Sequence, residues 1–593
     1  MSKKPLFGLI AVWCCIPLFL LAVEASSQTT LPEMKEKVVA LKGNQVFDSN
    51  DIYDALSVEH ASWFAFWKDD TPKVKERLIP TFSDALRNFF DSEGYYDANF
   101  TIVEKPDQVV VDVQEGEPVR VAEINITSDY DLSEVVKFQK GEVFTAKKFI
   151  QTKADIISLM LEEGYCSYQL DSKAYVDLDQ HTVEIRYLLQ KGGVCTFGNA
   201  TISGLEDIDQ RVVLSRVRAK PGSRFSTKAV RETSAALYGL QAFDSVLINV
   251  DRKFYNVVPV DITLQQMRDP YHIEAGVGYD TYVGPRAHAK FTKHDFLGNA
   301  QLLSLSVAWS KLENLVRLDF YKPAFAYFHE YVADLGVGIG YSDLEFDGFR
   351  EERTWLKSFL RYEDSHLRLT VGAAMENIAI SKKSKTCVLP CYAYNTFSLA
   401  YPYVEAIYDA RDSKLNPTKG YYLMGYMEMG LPWDSDSSLY LKTILEARKI
   451  YTVNDFTMAV VGKIGTIDLD GSNYGIPESK KFFGGGSYSN RAYGYKEIGV
   501  TTSPSTDLIN GALSMANLSF EVDYPIYGKL YGALFNDNTL LNADSYDFTG
   551  EIISSAGVGV RYQTPVGPFK LDVGFNIDEP SIYGISFQIG QSF

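Results

Sequence analysis

Residues Lys480–Gly499, KKFFGGGSYSNRAYGYKEIG, decide how the rest of the chain reads. Two Phe precede three consecutive Gly, and a single Arg, Arg491, stands among Tyr residues. The stretch lies inside a longer segment, from about Thr466 to Gly511, that is too polar and Gly-rich for a strand. Strand-like alternation flanks it, over Phe456–Ile464 on one side and Leu513–Tyr524 on the other. Connections this long are uncommon in compact domains and are usually functional or disordered. Phe482, Phe483, Tyr488, Tyr493 and Tyr495 favour burial, so the expectation is a folded loop that presents Arg491 among aromatic rings.

Outward from this loop the texture is strand. From Tyr271 to the end, helical spacing disappears and period-two alternation dominates. Tyr271, Ile273, Ala275, Val277 and Tyr279 alternate with His272, Glu274, Gly276 and Gly278. At the other end, Tyr583, Ile585, Phe587, Ile589 and Phe593 alternate with Gly584, Ser586, Gln588, Gly590 and Ser592. One face is apolar and the other small or polar, as in a lipid-facing barrel strand with a wet lumen behind it. At about 20 residues per strand and connection, roughly 16 strands fit between Tyr271 and Phe593, an even number as single-chain barrels have. In lipid only a closed barrel satisfies every strand edge. The 38 Tyr and 35 Phe suit aromatic girdles, and the mean hydropathy is nonetheless slightly negative.

A soluble sandwich also alternates, so the chain's beginning helps to decide. Residues 1–25 read as a secretory signal: Lys3 and Lys4, a mostly apolar run from Leu6 to Val23, then Val23-Glu24-Ala25 as a cleavage site. An anchor helix needs about 20 apolar residues, and Pro17 and the short run argue against one. Trp13 argues against a lipoprotein signal at Cys14 and Cys15. Of the six Cys, four remain in an oxidising compartment. Cys387 and Cys391 enclose Val-Leu-Pro and are expected to clip a loop. Cys166 and Cys195 can pair if their strands are neighbours. No metal ligands cluster near either pair. A formal charge of −18 argues against nucleic-acid binding.

Before the barrel, residues 37–267 repeat with a period of about 75 residues. Each unit opens on an apolar strand: Val38–Lys42, Val121–Thr127, Cys195–Ser203. Two helical patterns follow in each: Ser49–Ser57 and Val74–Ser92, Leu132–Phe138 and Ala146–Glu163, Ile208–Arg218 and Thr227–Leu240. Glu93-Gly94-Tyr95 recurs as Glu163-Gly164-Tyr165 and degrades to Gln241-Ala242-Phe243, with Gly as the helix stop. Closing strands fall at Val109–Val113, Val183–Leu189 and Val257–Leu264. The order β-α-α-β-β covers one sheet face and leaves a strand edge open to an extended peptide.

Phe482-Phe483-Gly484-Gly485 followed by Arg491-Ala492-Tyr493 resembles the loop-six motif of the outer-membrane assembly factor superfamily, to which BamA, TamA and the two-partner secretion transporters belong. That motif centres on Arg-Gly-aromatic, and Ala492 replaces its Gly. Asp409-Ala410-Arg411-Asp412 through Asn416-Pro417-Thr418-Lys419-Gly420 resembles the family's strand-turn motif. Thr564-Pro565-Val566-Gly567-Pro568 resembles its penultimate hairpin, and a terminal Phe593 its carboxy-terminal signal. The repeats resemble POTRA domains. The resemblance spans nearly the whole mature chain and implies α+β periplasmic domains at 37–116, 117–192 and 193–267 before an all-β transmembrane barrel at 271–593.

The resemblance further implies roles. Arg491 and Tyr493 would latch the loop against the barrel wall, with Glu521 and Asp537 at the places of the family's acidic partners. Gly276, Gly278, Gly584, Gly590 and Phe593 would form a weak seam between first and last strands. Three POTRA units, rather than five or two, point to the TamA branch, with an inner-membrane-anchored TamB-type partner at the first unit. A two-partner secretion pore would also carry a plug helix, for which residues 26–36 are too short. The implied clients are unfolded outer-membrane proteins, autotransporters especially, inserted into the bilayer without cofactor or nucleotide. The implied location is the Gram-negative outer membrane. Alternatives are a dedicated two-partner secretion pore and a passive channel. Neither H-E-x-x-H nor G-x-S-x-G occurs, and the Gly run lacks a following Gly-Lys-Ser/Thr.

Overall fold

The computed structural model describes residues 35–60, 71–250, 256–280, 284–329, 331–345, 349–382, 394–434, 437–471, 475–500, 510–564 and 567–589. The signal segment 1–25, Cys387, Cys391, Gly590 and Phe593 lie outside these. The chain forms two compact bodies, one ending at Cys195 and the other starting at Thr196.

The first body holds two α/β units. In the first, β1 (Glu36–Lys42), α1 (Ser49–Ala55), β2 (Lys73–Lys75), α2 (Phe82–Ser92), β3 (Asn99–Glu104) and β4 (Gln108–Gln114) follow in order. The last strand takes a central place, β4 running parallel to β1 and antiparallel to β3. Its alternation buries Val109, Val111 and Val113 against Phe82, Leu86 and Phe90, which share one face of α2 at four-residue spacing. Burying each such side chain contributes about 1.5–3 kcal/mol. The second unit repeats the plan with β5 (Arg120–Ser128), α3 (Ala146–Glu162), β6 (Gln169–Asp177) and central β7 (Thr182–Gln190). There Val183, Ile185, Tyr187 and Leu189 pack with Ile156 and Met160. Gly94 and Gly164 end α2 and α3 at φ of 87° and 77°. A Cβ on Gly94 would lie 2.1 Å from the Phe144 carbonyl oxygen, so the helix stop is also a packing requirement.

Several expectations are corrected. Val74–Ser92 is not one helix: Lys73–Lys75 is strand β2, paired antiparallel with β1, and α2 starts only after Pro80. Glu76–Thr81 between them is a 3-10 helix with Pro80 inside it, and the missing proline N–H cannot join an α-helical ladder, so α2 starts after it. Leu132–Phe138 forms a turn, with the Val135 and Val136 amides donating to the Leu132 carbonyl. Cys166 and Cys195 form no disulfide. Neither lies in a strand; the isolated bridge from Tyr165 to Val194 sets the two Cys at diagonal positions beside it. Diagonal positions are about 7–8 Å apart, beyond the usual reach of a disulfide.

The second body begins with a third α/β unit: β8 (Thr196–Ser203), α4 (Gln210–Leu214), α5 (Thr227–Tyr238), β9 (Phe243–Val250) and central β10 (Val257–Gln266). The left-handed residue after α5 is Gln241, at φ 53°, one residue before the position expected from the repeat. This unit is fastened to the sheet that follows. Arg216 places one guanidinium nitrogen 2.8 Å from both oxygens of buried Asp334. Arg218 donates to the Glu363 carbonyl oxygen at 2.8 Å.

The rest is a 16-stranded sheet in which every strand is antiparallel to the next. Its first half comprises β11 (Tyr271–Asp280), β12 (Gly284–Lys293), β13 (Leu302–Ser310), β14 (Glu313–Phe328), β15 (Tyr331–Glu345), β16 (Phe349–Glu363), β17 (Leu367–Lys382) and β18 (Tyr394–Asp409). Its second half comprises β19 (Gly420–Pro432), β20 (Leu439–Val453), β21 (Phe456–Asp470), β22 (Ser514–Tyr527), β23 (Leu530–Asn542), β24 (Ile552–Tyr562), β25 (Phe569–Asn576) and β26 (Tyr583–Ile589). Ile339, Leu356, Val371, Leu445, Leu534 and Val558 face outward and are exposed, as lipid-facing residues are. The inner face is not uniformly small. Trp355 and Phe359 lie where a Cβ on Gly340 or Gly336 would clash, so rings of β16 fill the space left by glycines of β15. At the rim nearest the third α/β unit, Tyr408 stacks on Tyr421 and Phe456 packs tilted against Tyr524, at ring separations of 5.7 and 4.8 Å.

Candidate functional site

The connection between β21 and β22 is the sixth on the rim away from the α/β unit. It doubles back as a narrow stem. Phe482 bridges Ala512, Gly484 bridges Ile498 and Val500 bridges Asn510, each through backbone hydrogen bonds in both directions. The Gly run turns the chain at the stem's end, with Gly485 and Gly486 at φ of 94° and 91°. A Cβ on Gly485 would sit 2.2 Å from the Gly494 carbonyl oxygen. The tip beyond it, Asn490, Arg491 and Ala492, is buried. Ala492 is not among the residues of positive φ, so its methyl imposes no strain there. Tyr488 and Tyr495 are 74% and 54% exposed, against the expectation that both bury. A wide polar lumen leaves a phenol free to face solvent.

Arg491 is 6% exposed and reaches the inner wall. Nε lies 2.8 Å from Asp537 Oδ2 and Nη2 lies 2.9 Å from Oδ1, a two-pronged pairing that suits the planar guanidinium. Nη1 donates to Glu521 Oε2. The Arg491 backbone amide donates to Asp537 Oδ2 at 3.1 Å. Phe535, two residues before Asp537 on the same face of β23, lies under the guanidinium at 3.4 Å from ring centroid to Cζ. The structure thus brings Arg491, Glu521 and Asp537 together. Tyr493 stands beside them, its hydroxyl accepting from Asn576 Nδ2 of β25 at 2.5 Å.

The wall holds more than those expectations included. Arg561 of β24 is fully buried and donates to Glu521 at 3.0 Å and to Asp572 at 2.6 Å. Lys570 lies 3.8 Å from Glu521, and Arg491 Nη1 lies 3.8 Å from Asp572. Burying charges away from water is costly unless each is paired, and this interleaving pairs them. Arg561, Lys570 and Asp572 carried a signal in the sequence only as polar residues at inward positions of β24 and β25. Glycines make room for the network. A Cβ on Gly559 would lie 2.1 Å from Asp572 Oδ1, and one on Gly574 would lie 2.8 Å from the Arg491 carbonyl carbon.

The expected seam residues fall as follows. Gly276 of β11 pairs with His288 of β12, whose ring occupies the space a Cβ would need. Gly278 pairs with Arg286 and Gly584 with Gly574. The strands β11 and β26 approach one another. Among the described residues no ladder of hydrogen bonds joins them, and residues 590–593, to which the expected first-to-last pairing extends, lie outside these. The loop tip rests against β25, one strand from that junction. The Asp409–Arg411 motif lies at the opposite rim: Arg411 Nε meets Asp409 at 2.8 Å, and Asp412 accepts from the Thr418 amide at 2.9 Å to close the turn.

Comparison with known proteins places this geometry. The Omp85 superfamily domain model matches residues 295–593. The POTRA model, described as a surface antigen variable number repeat, matches residues 118–192. The outer membrane protein assembly factor BamA of Nitratidesulfovibrio vulgaris is 22% identical over 92% of this chain and 70% of its own length. That of Neisseria meningitidis is 21% identical over 94% of this chain and 78% of its own length. The crystal structure of BamA from Haemophilus ducreyi lacking POTRA domains 1–3 overlays with a TM-score of 0.52 at 18% identity, covering 80% of this chain and all of that one. The barrel lies in the outer membrane with its POTRA region in the periplasm. With half of the sequence matched by the superfamily's own domain, the chain belongs to the Omp85 superfamily.

Proposed function

We propose that this protein assembles β-barrel clients in the outer membrane by letting a client strand pair at the junction of β11 and β26. The observation that carries this reading is the interrupted ladder there, in a sheet where every other neighbouring pair is hydrogen bonded among the described residues. The flanking wall is short: β11, β12 and β13 have 10, 10 and 9 residues, whereas β14 to β18 have 15 or 16. A short hydrophobic span thins the bilayer beside it, which eases insertion of a new strand. The role in the relatives' name, outer membrane protein assembly factor, agrees with this reading. Free energy comes from strand pairing and from burying the client's apolar face in lipid.

In this reading residues 1–25 direct export, the units 37–116, 117–192 and 193–267 are three POTRA domains, and 271–593 is the barrel. Arg491, Tyr493, Glu521 and Asp537 latch the loop and so steady the wall beside the junction. Three units favour a TamA-like role with autotransporter clients and a TamB-type partner at the first unit. In that unit β2 occupies one sheet edge, leaving β3 as the open edge for a partner strand. The test joins β11 to β26 with cysteine pairs scanned across Ile273–Val277 and Tyr583–Phe587. Oxidation is expected to stop client insertion and reduction to restore it. Insertion that continues across a formed cross-link overturns the reading. Depletion that lowers all outer-membrane barrels equally, rather than autotransporters first, overturns the TamA-like part.

A further inference from the structure

We infer that the lumenal loop has a second fastening, Lys480, seated in a socket on the wall that shares no residue with the Arg491 site. The inference rests on the reading of the loop as a latch and adds an independent pin to it.

The socket is built from adjacent strands. Lys480 Nζ lies 3.1 Å from Glu376 Oε2 of β17 and 3.4 Å from Glu428 Oε1 of β19. Between them, Tyr401 of β18 places its ring centroid 3.9 Å from the ammonium. Its hydroxyl donates to Glu376 Oε1 at 2.6 Å. Tyr440 of β20 donates to Glu428 Oε1 at 3.0 Å. Lys442 Nζ donates to the Lys480 carbonyl oxygen at 2.6 Å, gripping the backbone at the same residue.

Two buried carboxylates on one wall repel each other and lack water. Lys357 of β16 reaches Glu376 alone, at 3.6 Å, whereas Lys480 of the loop lies between the two carboxylates and pairs with both. The socket sits beside an apolar cluster in which Ile476 and Phe482 of the loop pack with Ile378, Phe397, Leu399 and Ile467 of the wall. Apolar surroundings lower the local dielectric and strengthen the ion pairs. Arg491 binds β22, β23 and their neighbours, whereas Lys480 binds β17, β18 and β19. The loop therefore straps two arcs of the wall together. With both pins in place, the segment from β17 to β25 behaves as one stiff half, and movement is confined to the strands around the junction.

The test is hydrogen exchange by mass spectrometry on the full chain folded into phospholipid vesicles. Segment 476–484 reports on the Lys480 pin and segment 487–494 on the Arg491 latch. Lys480→Met leaves two buried carboxylates facing each other, and such a variant can fail to fold. The combined Lys480→Met, Glu376→Gln, Glu428→Gln variant removes the pin together with both carboxylates, and Lys357, 3.6 Å from Glu376 on β16, is exposed enough to turn to solvent. It is expected to raise exchange at least tenfold in 476–484 and to leave 487–494 unchanged. Arg491→Ala is expected to do the reverse, and Lys480→Arg to keep both segments protected. Unchanged exchange in 476–484 in the neutral variant, or both segments opening together in each variant, overturns the second pin. Protection of 487–494 that survives Arg491→Ala overturns the latch reading instead, so the two failures are told apart.

Discussion

Gly574→Ala tests the seating of the loop tip without removing any charge. Gly574 lies in extended strand β25, where Ala fits the backbone. The new methyl would stand 2.8 Å from the Arg491 carbonyl carbon, 2.9 Å from its oxygen and 3.0 Å from the Ala492 nitrogen. All three are backbone atoms, so no flexible side chain can yield. Ordinary carbon contacts begin near 3.5 Å, so the tip must retreat by about 0.7 Å. The same retreat would stretch the 2.8 and 2.9 Å bonds from Arg491 to Asp537 beyond useful hydrogen-bond length. Overpacking of this kind costs about 1–3 kcal/mol, which shifts the seated-to-released ratio by about 5- to 150-fold. The assay is hydrogen exchange of segment 487–494 in the vesicle-folded chain. Gly462→Ala is the control, since its methyl would meet only Leu518 Cδ1 at 3.9 Å. Exchange in Gly574→Ala within twofold of both wild type and Gly462→Ala would refute the close seating of Arg491 on β25.

Two further outcomes follow from the buried ion pairs. Arg491→Ala and Asp537→Ala are each expected to cost about 3–5 kcal/mol of loop seating, and the double variant much less than their sum. A double-mutant cycle on exchange rates measures this, and additive costs would show that the pair does not act as a unit. Arg216→Ala strands the buried Asp334 carboxylate, which otherwise accepts from Arg216, Tyr321 and the Ala324 amide. Exchange in α4 is expected to rise by at least tenfold, and Arg216→Lys, which keeps the charge and a single donor nitrogen, to restore part of the protection. Unaltered protection of α4 would contradict that role for the pair.

The barrel was legible because its cause is local. Alternation of period two is written residue by residue, so Tyr271–Val277 and Tyr583–Phe587 announce lipid-facing strands, and the length between them sets a count that the 16 strands meet. The loop was legible for a similar reason, since an Arg among aromatics in a long Gly-rich connection needs an acidic wall. Local signals misled where the outcome turned on a neighbour. Leu132–Phe138 has helical spacing but folds as a turn closed on the Leu132 carbonyl, and Tyr488 has an apolar ring but is largely exposed.

Composition and periodicity by themselves thus determined an α/β repeat, a strand-built transmembrane half and a lumenal loop centred on Arg491. Which wall residues receive that loop was decided by the tertiary structure. Glu376 and Glu428 lie far from Lys480 in sequence and meet it only because the sheet curls round and the loop folds inward. Side-chain direction is a property of each residue and its strand. Position around the barrel depends instead on the summed register of every hydrogen-bonded pair between, and no short stretch of sequence contains that sum.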